Sequence, residues 1–487
     1  MPSVRTRPSP ALPPKPASPV NPLPWVQVAE GAPYFVTEHG AAWTPVGHNE
    51  AITWPNLAPL FRRRDPEAVE AHLRELVGKG ITVIRLMLEY AHREHRYIER
   101  PVGVFAPNMV RLWDDLFAIC ERVGMRILLT PFDTYFTWVR WARHPYNQRN
   151  GGPCDDRARL LLCRDTRDAV MRRLAFAAER WGGGGALFAW DLWNELHPAQ
   201  GGWRFDEMGE FIAEVGGHLR DVELRLHGRA HPQTVSVFGP ELLTSPPLGE
   251  LIFRHPALHF ASTHLYEKGT IDDPRDTVGA ALSTGRLVRD ALAEIRDSRP
   301  FLDSEHGPIH RFKDHHKTLP HAFDDEYFRH MQWAHLASGG AGGGMRWPNR
   351  HPHVLTPGMH EAQAALARFL PLVDWPRFRR RCLNDGVSVD GASLAAFACG
   401  DDAQSVAWLL RTDSIGPDGR LRADAAPVHA RLHVPGLAPG RYRVTAWDTS
   451  TGRELSTDLH DAGDGGLHLP LPPVATDLAL AIRRADG

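Results

Sequence analysis

Leu187-Phe188-Ala189-Trp190-Asp191-Leu192-Trp193-Asn194-Glu195 is the stretch on which the reading of this chain turns. It is a short apolar run with almost no polar alternation, which suits a strand buried on both faces, as in a parallel sheet covered by helices. It ends in an amide and a carboxylate, and α/β folds gather their chemistry at the C-terminal ends of such strands.

Runs of similar character recur outward from it, at 43–47, 81–88, 126–131, 234–238, 259–262, 300–303 and 343–347. Amphipathic helical stretches separate them, at 65–77, 107–123, 166–181, 205–226, 274–296, 324–337 and 359–369. In the first helix Asp65 suits the N-cap, Pro66 the first helical position and Gly78 the end. Its Val69, Leu73, Leu76 and Val77 fall on one face. Strands and helices alternating in this way predict a (β/α)8 TIM barrel over residues 25–378. A doubly wound sheet fits less well, because no glycine-rich phosphate loop follows the first run.

The pattern changes near residue 380. Short alternating runs follow at 393–398, 405–410, 430–434, 442–447 and 478–482, with turn pairs such as Asp385-Gly386, Asp418-Gly419 and Pro439-Gly440 between them. They predict a C-terminal β-sandwich over 379–487. Residues 1–24 carry nine prolines and no apolar segment, which reads as a disordered leader and not as a secretory signal.

The 487 residues carry a formal net charge of -2, which gives no basis for binding nucleic acid. No run of 18 apolar residues exists, so no membrane helix is expected. The five cysteines are an odd number with no demanding spacing. The default expectation is a reduced cytoplasmic protein, or a secreted one if a further segment precedes this sequence.

Two runs end in a glutamate. The fourth gives Asn194-Glu195, and the seventh gives Phe301-Leu302-Asp303-Ser304-Glu305-His306. A buried, unpaired carboxylate costs several kcal/mol, so each needs a partner or a task. Two facing carboxylates are the equipment of glycoside hydrolysis, one acting as acid and the other as nucleophile. The plainer readings are a helix start for Asn194-Glu195 and a structural ion pair for Glu305 with Arg85. The 27 histidines invite a metal reading, with dense spots at His92-Arg93-Glu94-His95, His315-His316 and His351-Pro352-His353. None has the zinc-protease spacing, and His48-Asn49-Glu50 stands where barrel metal hydrolases carry His-x-His. Gly339-Gly340-Ala341-Gly342-Gly343-Gly344 lacks the Lys-Ser/Thr of a phosphate loop and reads as a turn. No metal or organic cofactor is expected.

Taken together these motifs resemble the retaining glycoside hydrolases of clan A, and family 5, the cellulase and mannanase family, most of all. Thr44-Pro45-Val46-Gly47-His48-Asn49 resembles the family's first strand, and Arg85 in Val83-Ile84-Arg85-Leu86 its second-strand arginine. Asn194-Glu195 resembles the acid/base pair, His264 and Tyr266 the sixth-strand pair, Glu305 the nucleophile and Trp347 the eighth-strand tryptophan. The resemblance implies that Glu305 attacks the anomeric carbon, held ionised by Arg85 and hydrogen-bonded by Tyr266. It implies that Glu195 serves as general acid and then base, oriented by His264. Asn194 would bind the sugar 2-OH, Trp347 would lie under the sugar, and Asn49 belongs to the same substrate-binding set. The third strand departs from the family: Asp133, Tyr135 and Trp138 stand where many members carry a histidine, so Asp133 and Trp138 become candidates for sugar contact. The implied partner is an oligo- or polysaccharide. A transglycosylase, a non-catalytic glycan-binding barrel and a metal-dependent hydrolase remain as alternatives, and the oligomeric state is open.

Overall fold

The computed structural model describes residues 11–16, 22–60, 64–89, 97–309, 318–348, 352–391 and 393–485. The His92-Arg93-Glu94-His95 and His315-His316 clusters and His351 lie outside them.

Eight parallel strands form one sheet: β1 (Gly47–Glu50), β2 (Val83–Met87), β3 (Arg126–Thr130), β4 (Leu187–Asp191), β5 (Gln233–Thr234), β6 (Ala261–Leu265), β7 (Phe301–His306) and β8 (Met345–Arg346). Their order is β5-β4-β3-β2-β1-β8-β7-β6. The remaining seam closes through a parallel bridge between Phe238 and His264, supported by the His264 N–H donating to the Val237 carbonyl at 2.8 Å. The sheet is therefore a barrel, as the alternation of runs predicts. Strands β2, β3 and β4 are buried at every position, which is why their sequences read as continuous apolar runs.

Among the described residues, seven long helices cover the barrel: α1 (Pro66–Gly78), α2 (Pro107–Val123), α3 (Arg164–Trp181), α4 (Phe205–His227), α5 (Thr277–Glu294), α6 (His321–Ala337) and α7 (Pro357–Phe369). Asp65 caps α1 by accepting from the Ala68 N–H at 3.1 Å, with Pro66 next, as expected. Between β5 and β6 the chain makes only a short helix (Gly239–Thr244) and a π turn (Glu250–Arg254). Among the described residues, no helix is long and apolar enough to cross a membrane.

The first run needs correcting. Trp43 belongs not to the barrel wall but to a three-stranded antiparallel sheet of Val26–Val28, Phe35–Thr37 and Ala42–Trp43. Phe35 and Trp43 pack on Phe188 and on one another, and Phe35 meets Phe260, plugging the N-terminal end of the barrel with aromatic rings. The barrel wall starts at Gly47, where a side chain would collide with the Val83 carbonyl: an added Cβ would lie 1.9 Å from it. The glycine run at 339–344 makes a buried turn, with left-handed backbone at Gly339, Gly342 and Gly344, and not an anion cradle.

Part of the proline-rich leader lies against the barrel. Lys15 Nζ donates to the Glu179 carbonyl on α3 at 2.6 Å, and Arg180 Nη2 donates to the carbonyls of Pro13 and Pro14 at 3.0 and 3.1 Å. An extended proline stretch leaves its carbonyls unpaired, and here they find donors.

The C-terminal region holds nine strands, β9 (Arg381–Cys382), β10 (Ser388–Val389), β11 (Leu394–Gly400), β12 (Gln404–Arg411), β13 (Arg431–Val434), β14 (Gly440–Asp448), β15 (Arg453–Ala462), β16 (Leu467–Pro470) and β17 (Asp477–Arg484). They form a six-stranded sheet, β9-β11-β12-β17-β14-β15, and a three-stranded sheet, β10-β13-β16. The larger sheet is covered on both faces. Val406, Trp408 and Leu410 of β12 join Trp333 and Phe369 of the barrel helices, while Ala407 and Leu409 join Leu432, Leu467 and Leu469 of the small sheet. Period-two alternation thus divides one strand between two cores. Trp408 and Trp447 are packing residues at the barrel face.

Candidate active site

Glu195 and Glu305 come from opposite sides of the barrel mouth and meet at His264. His264 Nδ1 lies 2.9 Å from Glu195 Oε1 and 3.7 Å from Glu305 Oε2. One oxygen of each glutamate and one ring nitrogen all lie within 4.8 Å of one another. Glu195 sits four residues past the end of β4, with left-handed backbone at φ +51°. For a residue with a Cβ that conformation costs on the order of 1 kcal/mol, and such strain collects at functional sites.

Glu305 is held from two sides. Arg85 Nη1 donates to Oε2 at 3.0 Å and the Tyr266 hydroxyl donates to Oε1 at 2.8 Å. Arg85 is fully buried and reaches four partners. Besides Glu305 it donates to Asn49 Oδ1 at 2.9 Å, to Asp191 Oδ2 at 2.8 Å and to Asn194 Oδ1. Asn49 spends both of its amide hydrogens on backbone carbonyls. Its Oδ1 takes Arg85, and its Nδ2 donates to the carbonyls of Ser304 and Met345 at 3.0 and 3.2 Å, tying β1 to β7 and β8.

Asp133 stands behind Asn194. It accepts from Asn194 Nδ2, and its other oxygen accepts from the Phe136 N–H at 2.6 Å, capping a short helix (Thr134–Val139). Burial pushes its pKa up to about 7 against those two hydrogen bonds. Asp133 thus orients the asparagine, leaving the second Nδ2 hydrogen for a ligand. Trp347 is half-buried beside Trp54 at a ring distance of 4.9 Å, and its N–H extends the sheet by donating to the His306 carbonyl at 2.7 Å. The Arg157 guanidinium covers one face of the Trp138 ring at 3.7 Å.

Two members of the cluster are not singled out by the sequence reading. Asp191 is buried mid-network, paired with Arg85 and accepting from the Ser236 N–H at 3.0 Å and the Ser236 hydroxyl at 2.8 Å. Ser236 Oγ in turn accepts from the Glu195 N–H at 3.2 Å. The signal for Asp191 was a single charge inside the apolar run 187–193. His48 and Glu50, by contrast, flank the inward Asn49 and turn outward, where Glu50 lies 3.4 and 3.6 Å from His48 and His72.

The electrostatics separate the two glutamates. Burial raises the pKa of Glu195 to about 7, with Asp191 and Glu241 adding to the rise and Arg85 opposing it. Burial also raises Glu305 above its ordinary value, so Arg85 alone does not hold it low; the Arg85 charge and the Tyr266 hydrogen bond pull the other way. The first proton taken up by the pair belongs on Glu195, because both oxygens of Glu305 already accept from donors. Burial keeps the His264 pKa below its ordinary value, so the ring is neutral near pH 7. The spacing of Glu195, His264 and Glu305 also suits a divalent cation. The buried Arg85 guanidinium on Glu305 disfavours one, since a second positive charge would sit beside it.

No protein-family model matches the chain, and no curated protein matches its sequence. Solved structures do. A glycoside hydrolase family 5 structure from Bacteroides vulgatus is 11% identical, with 95% of this chain and 94% of that one covered at a TM-score of 0.57. A structure described as a glycoside hydrolase is 12% identical, with 95% and 98% covered at 0.56. An exo-β-1,4-mannosidase from Opitutaceae bacterium strain TAV5 is 17% identical, with 70% and 62% covered at 0.51. The chain therefore shares its fold, TIM barrel and C-terminal β-domain together, with glycoside hydrolase structures, one of them of family 5.

Proposed function

We propose that this protein is a retaining glycoside hydrolase that cleaves a β-linked glycan by double displacement, with residues 25–378 as the catalytic unit and 379–487 as a brace packed on it. The observation that carries the reading is the meeting of Glu195 and Glu305 at His264, with the two glutamates in unlike surroundings.

In the first step the Glu195 carboxylic acid gives its proton to the glycosidic oxygen. The Glu305 carboxylate attacks the anomeric carbon from the opposite face, the bond to the leaving group breaks, and a glycosyl ester forms. Glu195, now a carboxylate, then takes a proton from water, the oxygen attacks the anomeric carbon, and the ester bond breaks. Arg85 and Tyr266 receive the returning charge of Glu305. The free Nδ2 hydrogen of Asn194 reaches the sugar 2-OH, a contact that strengthens as the transition state forms. Trp347 offers the ring face under the sugar. An oxygen of each glutamate within 4.8 Å of one of the other supports the closer carboxyl spacing of retaining enzymes, roughly 5–5.5 Å, over the wider spacing of inverting ones.

The reading is tested by hydrolysis of β-mannans, β-glucans, xylans and aryl β-glycosides. Turnover of at least one supports it, and inertness of purified enzyme toward all of them opposes it. Two further outcomes are expected. Glu195→Ala lowers kcat on substrates with poor leaving groups by about 10²–10⁴-fold, the usual worth of general acid catalysis, while aryl glycosides with acidic phenols lose far less. Equal losses on both would remove Glu195 from the acid role. The kcat/KM of the wild type falls as pH rises through about 7, where Glu195 loses the proton it must donate. The pH profile of Glu195→Gln on an activated substrate lacks that alkaline limb; its persistence would place the proton elsewhere.

A further inference from the structure

The loops after β3, β4 and β5 present side chains that the two-glutamate chemistry does not use. Trp203 is 58% exposed, unusual for so large an apolar ring, and it adopts left-handed backbone at φ +61°. Both features cost free energy in the free protein, and backbone outliers of this kind accompany function. Its ring edge meets the ring of His197 at 6.3 Å. His197 follows Glu195 by two positions, and its Nε2 lies 3.6 Å from Glu241 Oε2. Glu241 is in turn close enough to Glu195 to contribute to the rise in its pKa. Trp203, His197 and Glu241 therefore stand in one row in the loops beside the acid/base.

The shelf is rigid. Gln200, fully buried, accepts from the Thr134 hydroxyl at 2.9 Å and donates to Thr137 Oγ1 at 2.6 Å, and Trp193 Nε1 donates to Thr134 Oγ1 at 2.9 Å. The short helix that bears Tyr135, itself 43% exposed, is thereby fastened to the loop that bears Glu195 and Trp203. Glu195 lies in the loop that follows β4, so the β3–β5 side of the mouth is the side its proton must serve. The leaving group departs there.

We infer that Trp203, with His197 and Glu241, forms a binding site for the leaving-group saccharide, a pyranose stacking its C–H face on the indole and offering hydroxyls to the Glu241 carboxylate. Rings stack on such faces because the sugar's axial hydrogens form an apolar patch, while a carboxylate is a strong acceptor for its hydroxyls. The site rests on the glycosidase reading above and extends it: the substrate carries at least one sugar beyond the cleaved bond.

The test compares wild type, Trp203→Ala and Trp203→Phe on β-1,4-mannotetraose and cellotetraose, and on β-mannosyl and β-glucosyl fluoride. Fluoride leaves without touching the shelf. Whichever sugar is accepted, Trp203→Ala is expected to lower kcat/KM on the tetraose at least tenfold, mainly through KM, and to leave the fluoride within about twofold. Trp203→Phe recovers part of the loss. Equal loss on tetraose and fluoride would make Trp203 a structural residue and overturn the inference, as would no loss on either. Wild-type enzyme inert to all four probes, and to the wider panel above, would instead overturn the glycosidase reading itself.

Discussion

Glu305→Ala is expected to lower kcat by on the order of 10⁴-fold or more, the scale on which removing a covalent nucleophile acts. The side chain sits with one oxygen on Arg85 and one on Tyr266. Without it the anomeric carbon has no attacking group on the face opposite the leaving group. Truncation leaves a cavity there beside a guanidinium, which suits a small anion. Added azide is therefore expected to restore turnover of an activated aryl β-glycoside and to give the α-glycosyl azide. The same experiment on Glu195→Ala gives the β-azide, because the vacancy then lies on the leaving-group face. An unrescued Glu305→Ala with wild-type activity, or β-azide from that variant, would exchange or dismiss the assigned roles.

Arg85→Met is the second large effect, and it falls on stability as well as activity. Arg85 is the counter-charge for both Asp191 and Glu305, all three being buried. Breaking a buried ion pair from one side costs about 3–5 kcal/mol, because the carboxylates stay behind uncompensated. Lysine is a poor substitute, since a single ammonium cannot reach Asn49, Asp191, Asn194 and Glu305 together. Arg85→Met is expected to lower the unfolding midpoint clearly and to leave little turnover. Adding Asp191→Asn removes one stranded charge, so the double variant recovers stability relative to Arg85→Met and does not recover activity. A wild-type midpoint for Arg85→Met, measured by calorimetry, would contradict this account of the network.

The barrel was legible because its strands are buried on both faces and its helices carry one apolar stripe each. What escaped was of two kinds. Trp43 lies next to a strand in sequence but plugs the barrel end, and no local pattern distinguishes a wall residue from a plug residue. Strand β15 (Arg453–Ala462) is an edge strand with most side chains exposed, so it lacks the apolar alternation by which its neighbours are read. At the site, Glu195, Glu305, Arg85, His264 and Tyr266 converge. Asn49 and Asp133 also converge, but their hydrogen bonds are spent on Arg85, backbone and Asn194. Sequence marks a residue as polar and near the mouth; only the partners show whether its donors are still free.

The most direct measurement is the anomeric configuration of the first product, followed by proton NMR before mutarotation on whichever β-glycoside the enzyme cleaves. Two glutamates acting through a covalent glycosyl ester predict that the β-anomer appears first and the α-anomer only later, by mutarotation. Initial release of the α-anomer would mean a single displacement by water, and would contradict Glu305 as nucleophile.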